Sequence, residues 1–248
     1  MAGCRSPGGA PVSEAWADEA ASVAGKGVAV VELFTSEGCS SCPPADDVLA
    51  RLAGRPGVFA LSFHVDYWDE LGWPDRFSSA DSTARQRAYA RSLGARGLYT
   101  PQLVVEGTDA FVGSDAGRAE ASVARALGTA QRVRLVLQVH ATVTDATVQY
   151  EAQGAPAGAV LDLALVERSV TTEVRAGENA GRTLHHANVV RAFASSRLGP
   201  ATGSVTLRLP SGLRQDGAEV IGYVQESPGD GSGMPVLGAA SARLDTHE

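Results

Sequence analysis

The sequence predicts an α/β domain followed by an all-β antiparallel sandwich. Between residues 28 and 128, short apolar runs alternate with segments of helical period, a pattern typical of strands layered against helices. After residue 130, short apolar or alternating runs follow one another without a helical pattern, separated by Gly, Pro, Asn or Asp. We therefore predict a flexible N-terminal segment at 1–26, an α/β domain at 27–130 and a β-sandwich domain at 131–248.

The α/β domain begins with a strand–helix–strand unit. The apolar run at 28–34 predicts a buried strand, apolar spacing over 45–53 predicts a helix, and the run at 58–65 predicts a second strand. Proline disfavours helical geometry at the residue before it. The regular helix is therefore expected to begin at Pro43 or Pro44.

Two further helices and a hairpin complete this domain. A helix over 81–93 is expected to begin at an Asp or Ser cap and to end at Gly94. Two short strands flank a turn at 107–109, and a last helix over 114–127 is expected to be capped by Ser114. The resulting order, βαβ, then α, then ββα, matches the minimal thioredoxin-type layout.

Composition argues against two functional classes. The 248 residues include 21 Lys and Arg against 28 Asp and Glu, a formal net charge of −7. Nucleic-acid-binding proteins usually concentrate basic residues on one face, and the sequence shows no basic cluster. No uncharged apolar run reaches the roughly 18 residues needed to span a bilayer. We expect neither a nucleic-acid-binding nor a transmembrane protein.

The N-terminal residues bear on localisation. They lack the apolar middle region of a signal peptide but are small and polar, as the mature N-termini of exported proteins often are. Met1-Ala2-Gly3-Cys4 resembles the end of a bacterial lipoprotein cleavage site. We therefore expect a secreted or periplasmic protein with a lipid anchor at Cys4; a chance cysteine is the alternative.

Cys39 and Cys42 follow the first predicted strand with two residues between them. A cysteine near a helix N-terminus is stabilised as its reactive thiolate. We expect Cys39 to be the accessible, attacking sulfur and Cys42 to be the resolving sulfur. The late start of the helix and the nearby carboxylate of Glu37 predict a less acidic thiol than in the strongest oxidants.

Other residues are predicted to converge on this pair. Parallel strands end at the same edge of a sheet, which places Tyr67 and Trp68 near Cys39 as substrate-binding residues. An antiparallel third strand would return Thr100 and Pro101 to that edge, with Pro101 as a cis-proline beside the sulfurs. Trp68 and Tyr67 covering the sheet edge as part of the core is the alternative.

Three further interpretations concern charged or metal-binding side chains. Glu32, inside an apolar strand, is a candidate proton acceptor for Cys42, or else a partly exposed residue paired with Arg or Lys. His64 is a candidate copper ligand alongside both sulfurs, or else a residue that hydrogen-bonds its neighbours. We interpret the acidic residues from Asp66 to Asp75 as a solvated loop, and those from Glu178 to His186 as a surface or interdomain loop.

Several stretches resemble one bacterial family. Residues 32–45, 64–68 and 100–102, together with 177–182 and 188–191 in the second half, are similar to domain-of-unknown-function family 1223. The resemblance implies a thioredoxin-like fold and secretion, and the family has no assigned reaction. The aromatic-Cys-Gly-Pro-Cys context of thioredoxin itself is absent.

The predicted function is thiol–disulfide exchange in the bacterial cell envelope, with Cys39, Cys42, Pro101 and Glu32 as catalytic residues. In this scheme the Cys39 thiolate attacks a protein disulfide and Cys42 resolves the mixed disulfide. The partners are protein thiols or disulfides, and no cofactor is required. Two alternatives stay open: a copper-binding or metallochaperone module using Cys39, Cys42 and His64, and a non-catalytic envelope binding protein with a structural disulfide.

Overall fold

The computed structural model describes residues 27–227 and 231–246, the last two by their backbone alone. The predictions of a flexible segment at 1–26 and of a lipid anchor at Cys4 lie outside these residues. No helix in the described ranges is long and apolar enough to cross a membrane.

Three α-helices and twelve strands make up the described ranges. The helices are α1 (Pro43–Ala53), α2 (Ala80–Ser92) and α3 (Ala116–Leu127). The strands are β1 (Ala29–Thr35), β2 (Val58–His64), β3 (Gln102–Val105), β4 (Asp109–Val112), β5 (Arg134–Ala141), β6 (Asp145–Gln153), β7 (Val160–Glu173), β8 (Thr183–Arg197), β9 (Thr202–Arg208), β10 (Ala218–Gln225), β11 (Val236–Arg243) and β12 (Asp245–Thr246). Short 3-10 helices occupy Asp66–Leu71 and Gln215–Gly217.

The strands form two sheets. The larger has the order β11-β10-β7-β8-β2-β1-β3-β4, and the smaller has the order β12-β5-β6-β9. In the large sheet β1 is parallel to β2 and antiparallel to β3, and β8 joins β2 in parallel at Val189 and Ser62. A mixed α/β first half followed by antiparallel strands is thus confirmed. The large sheet, however, takes strands from both sides of the predicted boundary at residue 130.

Helices cover the two faces of the large sheet. Side chains alternate along a strand, so that on one face Leu33 of β1 packs against Leu49 of α1. On the other face Phe34 packs against Tyr89 of α2, with ring centroids 6.0 Å apart. Residues at the carboxyl end of β1 and at the start of α1 therefore meet at one edge of the sheet.

The small sheet packs against the second half of the large one. Leu135 of β5, Val148 of β6 and Leu207 of β9 share a hydrophobic cluster with Leu163 of β7 and Val220 of β10. The apolar side chains of the alternating runs after residue 130 are buried between these two sheets. The apolar runs that follow residue 130 in the sequence are strands β5 to β11, and the two-residue β12 is an addition.

Helix boundaries follow local signals with one exception. α1 begins at Pro43, as the proline pair predicts, and Ser79 caps α2 by accepting from the Ser82 N–H. α3 is capped by Asp115, whose carboxylate accepts from the Arg118 N–H at 3.0 Å. The prediction of Ser114 as the cap is therefore wrong by one residue, because the aspartate side chain makes the capping bond.

A buried ionic network joins the two halves of the chain. Arg85 of α2 donates to Glu32 of β1 at 2.9 Å and contacts Asp162 of β7 at 3.4 Å. Tyr223 and Gln225 of β10 bond to the same guanidinium at 3.1 and 2.7 Å. Because an unpaired buried charge is strongly disfavoured, this network fixes α2 and β1 against β7 and β10.

Arg85→Met should therefore destabilise the protein by about 3–5 kcal/mol, since it leaves two carboxylates buried without their cation. The matched control is Arg87→Met on the exposed side of the same helix, which should change stability by less than about 0.5 kcal/mol. Urea unfolding measures both. A loss under about 1 kcal/mol for Arg85→Met would show that the network does not hold the halves together.

Candidate functional site

Cys39 and Cys42 form a disulfide where β1 leads into α1, with Cα atoms 5.4 Å apart. Cys42 is the N-cap of α1 and already has helical dihedral angles, with Pro43 at the first helical position. The two prolines start the helix here, since proline tolerates the first turn but not the interior. The disulfide therefore sits at the strand-to-helix turn.

A cis peptide bond lies opposite this disulfide. The Thr100–Pro101 bond is cis, and the Thr100 hydroxyl donates to Cys39 Sγ at 3.3 Å. The Gly113 N–H donates to the Pro101 carbonyl at 3.0 Å. A Cβ on Gly113 would lie 2.9 Å from Leu33 Cδ1 and 3.0 Å from Ala45 Cβ, so a larger residue here would displace buried side chains. The structure places Pro101 and Thr100 as predicted; their roles stay predictions.

Both cysteines are fully buried. Cys39 and Cys42 each have 0% exposed surface, so the expectation that Cys39 is accessible is wrong for this conformation. The Ser41 hydroxyl lies 3.4 Å from Cys39 Sγ, and the Trp68 indole donates to the Thr100 hydroxyl at 2.9 Å. We call residues 36–42, between β1 and α1, the disulfide loop. Side chains from this loop, from the 3-10 helix at Asp66–Leu71 and from the Thr100–Pro101 segment surround the Cys39 sulfur, and we call them the cover.

The turn between β7 and β8 completes this cover. We call residues 174–182 the cap turn. The Asn179 amide donates to the carbonyls of Glu37 and Cys39 at 2.9 and 3.0 Å, and Glu178 accepts from the Ser40 N–H at 3.1 Å. Asn179 is fully buried, and Arg182 donates to its amide oxygen at 2.9 Å. The second half of the chain therefore holds the disulfide loop directly.

A second segment holds the same loop from beside it. The Trp73 indole donates to the Glu37 carboxylate at 2.7 Å, and the Glu37 N–H donates to Asp75 at 2.9 Å. A Cβ on Gly177 would lie 3.0 Å from Cβ of Trp73, so the cap turn and this segment touch at a glycine with φ of 72°. The disulfide loop is enclosed by two segments that also contact each other.

Five buried titratable side chains lie beneath the loop. We call Glu37, Asp46, His64, Asp75 and His186 the acid–imidazole cluster; each is at most 5% exposed. His64 Nδ1 and Asp75 Oδ2 are 2.6 Å apart. His186 Nε2 lies 3.8 Å from Glu37 Oε1, and its Nδ1 lies 3.7 Å from Asp46 Oδ2. The ring centroids of His64 and His186 are 4.7 Å apart.

Two earlier interpretations are corrected by this cluster. Asp75 was expected in a solvated loop but is buried, because it binds His64 and the backbone N–H groups of Glu37 and Phe77. His186 was expected in a surface loop but belongs to β8. There it is buried like Leu184, while His185 between them is exposed.

The pKa values of the His64 and Asp75 pair move in opposite directions. Burial lowers the pKa of His64, but the charge and hydrogen bond of Asp75 raise it above its ordinary 6.5. Burial raises the pKa of Asp75, but His64 and two backbone N–H donors bring it down to about 2. The pair is therefore ionised in the folded protein at mildly acidic pH.

Glu32 lies outside this site. It faces α2 with Val30 and Phe34, while α1 covers the opposite face of the sheet, and its carboxylate is bound by Arg85 and Tyr223. Because strand side chains alternate, Glu32 is directed away from the helix that Cys42 begins. The prediction of a buried carboxylate is met, but its position does not suit proton acceptance from Cys42.

The remaining predicted residues divide between cover and edge. Trp68 belongs to the cover over Cys39, whereas Tyr67 is 36% exposed and donates from its hydroxyl to Gln86. His64 is bound to Asp75, and both sulfurs are used in the disulfide. Within residues 27–227 and 231–246, no group of three or more His, Cys, Asp or Glu side chains is arranged to hold a metal ion.

A protein-family model matches most of this chain. The model of a family described as "Protein of unknown function (DUF1223)" matches residues 30–225. The chain belongs to this family. No curated protein matches it.

Two solved structures are similar. Protein AGR_C_4864 from Agrobacterium tumefaciens has 28% identity and a TM-score of 0.63, over 90% of this chain and 100% of that one. HBP35 of Porphyromonas gingivalis has 14% identity and a TM-score of 0.64, over 91% of this chain and 77% of that one. The second likeness concerns the fold alone.

The ion pair beneath the loop predicts a specific pH dependence. The lowered pKa of Asp75 stabilises the fold above about pH 4, and this stabilisation is lost as the pH falls towards 2. The raised pKa of His64 stabilises the fold below about pH 6.5, and that stabilisation is lost as the pH rises further. Asp75→Asn should therefore cost about 2 kcal/mol near pH 5 and progressively less towards pH 2.

Urea unfolding at several pH values measures this difference. Asp81→Asn, at an exposed position in the first turn of α2, is the control and should change stability by less than about 1 kcal/mol at every pH. A loss for Asp75→Asn that stays constant between about pH 5 and pH 2 would contradict the ion pair.

Proposed function

We propose that this protein exchanges thiols and disulfides with partner proteins, through Cys39 and Cys42 on a thioredoxin-like first half. The observation that carries the proposal is the Cys39–Cys42 disulfide at the turn from β1 into α1, with the Thr100 hydroxyl on the outer sulfur. The order of β1, α1, β2 and β3 and their parallel and antiparallel pairing support the same interpretation. A working disulfide fits an oxidising compartment, and we propose the bacterial cell envelope.

The reaction begins from the reduced protein. The Cys39 thiolate attacks one sulfur of a partner disulfide, forming a Cys39–partner bond and releasing the partner's other sulfur as a thiolate. The Cys42 thiolate then attacks Cys39 Sγ, which forms the Cys39–Cys42 disulfide and expels the second partner sulfur. Two electrons pass to the partner, whose thiolates take protons from water. The reverse sequence oxidises a partner dithiol.

Burial of both sulfurs requires the cover to open first. The cap turn is the element suited to this movement, because residues 175–182 contribute no side chain to the hydrophobic clusters of the described ranges. It is held by polar contacts from Asn179 and Glu178 instead. Segments with few apolar contacts open locally at low free-energy cost. Exchange is therefore gated by the cap turn.

The same burial favours a second candidate function. A disulfide closed off from solvent on all sides is also what a purely structural crosslink requires, and such crosslinks resist reduction. In that case the protein is a non-catalytic binding module whose disulfide fixes the turn into α1. The two functions differ in whether a folded protein forms a mixed disulfide.

Trapping that intermediate tests the proposal. All variants carry Cys4→Ser, which removes the third cysteine of the chain. Reduced Cys42→Ser protein, mixed with oxidised glutathione under native conditions and quenched with acid, should accumulate one glutathione on Cys39, whereas the protein with both Cys39 and Cys42 should pass through the adduct and regain its disulfide. Cys39→Ser is the matched control and should react far more slowly. A structural disulfide predicts no adduct on either variant until urea unfolds the protein, and that result would overturn the proposal.

Asn179→Ala should accelerate reduction of the disulfide by dithiothreitol roughly tenfold. It removes two hydrogen bonds that hold the closed form, each worth about 1 kcal/mol. Asn188→Ala is the control, because the Asn188 amide also donates to a backbone carbonyl, that of Ala60 at 2.9 Å, away from the disulfide loop. Equal acceleration in both variants would point to general destabilisation and against gating by the cap turn.

A further inference from the structure

Buried polar atoms without hydrogen-bond partners concentrate in the acid–imidazole cluster. In the described part of the chain they include Glu37 Oε1, Asp46 Oδ1, His64 Nε2 and both ring nitrogens of His186, with Thr35 Oγ1 and Ser62 Oγ on the neighbouring strands. More than nine in ten buried polar groups in folded proteins are paired. Such a concentration of unpaired groups, in contrast to the bonded network around Arg85, indicates a site with a chemical task.

The cluster reaches both ends of the disulfide loop. Glu37 precedes Cys39 by two residues, and Asp46 follows Cys42 by one helical turn. Side chains four residues apart lie on the same face of a helix, and the Asp46 N–H bonds to the Cys42 carbonyl at 3.1 Å. His186 lies between the two carboxylates, within 3.8 Å of each. Asp46 is therefore the member of the cluster that shares a helix face with Cys42, and His186 is the neighbour of Asp46.

Charge and distance favour protons over a metal ion as the occupant. Three carboxylates face two imidazoles inside the cluster, and Arg76, Glu173 and Arg175 line the groove on the outer side of Glu37. The separations of 3.7 and 3.8 Å around His186 exceed hydrogen-bond length, so the imidazole and its two flanking carboxylates keep unpaired atoms that can take up a proton. As noted above, the described side chains are not arranged as a metal centre.

We propose that the acid–imidazole cluster, through Asp46 and His186, accepts the proton of the Cys42 thiol when the disulfide forms and returns it on reduction. This rests on the proposed function. The Cys42 S–H bond breaks, its proton passes to the cluster, and the electron pair on Cys42 Sγ attacks Cys39 Sγ. The Cys39–partner bond breaks with its electron pair on the partner sulfur, which takes a proton from water. Cys42 lies at the start of α1 and is fully buried in the closed form, so an internal base beside it offers its proton a shorter path than solvent does.

The rate at which the mixed disulfide resolves tests this role. Reduced protein carrying Cys4→Ser, so that only Cys39 and Cys42 remain, is mixed with oxidised glutathione, quenched with acid at intervals and weighed by mass spectrometry, across a pH series from mildly acidic to mildly alkaline. Asp46→Asn should slow resolution about tenfold or more near neutral pH and move the rise of the rate to higher pH. His186→Gln should act in the same direction. Asp47→Asn, the neighbouring exposed aspartate of α1, should behave as wild type.

Each outcome decides the proposal. Wild-type resolution rates and pH profiles in folded Asp46→Asn or His186→Gln, with exchange proceeding, would overturn the proton role and leave the proposed function standing. A wild-type protein that forms no mixed disulfide would overturn both. Stoichiometric metal in the purified protein, lost in Asp46→Asn, would replace the proton with a cation and overturn the assignment.

Discussion

The site depends on the two hydrogen bonds that the Asn179 amide donates to the carbonyls of Glu37 and Cys39. They connect a turn from the second half of the chain to the loop that carries the disulfide. β8 lies beside β2 in the large sheet, and the cap turn that precedes β8 lies against the loop between β1 and α1. The strands after residue 130 are therefore part of the site, since they cover the disulfide and supply His186.

Two clusters of buried polar side chains lie on opposite faces of the large sheet. They differ in how completely their atoms are hydrogen-bonded. On the α2 face, Arg85 and its partners are bonded to one another and hold the halves of the chain together. On the α1 face, the acid–imidazole cluster leaves several atoms without partners. Among the residues that the structure describes, the network on the α2 face leaves one such atom, Asp162 Oδ1. A network whose members are almost all bonded specifies a structure, whereas one with many unpaired atoms is usually retained for chemistry. Only the second lies beside the disulfide.

Local signals in the sequence predicted the elements and the cysteine turn, but not what covers it. Pro43 and the two-residue cysteine spacing act within a few residues, and the start of α1 and the disulfide follow from them. The pairing of β8 with β2 depends on contacts distant in sequence, which no local pattern encodes. The inward alternation of Leu184, His186 and Asn188 was the available signal for β8, and the Gly-rich turn before it obscured that signal.

The proposed function requires a buried disulfide that is nevertheless exchangeable. The midpoint potential of the Cys39–Cys42 couple tests this requirement most directly. Equilibration of the folded protein in a dithiothreitol series, with thiols counted by mass after alkylation, gives the value. We expect a potential above about −300 mV, within the range of exchange proteins. A value below about −300 mV is typical of structural disulfides and would contradict the account.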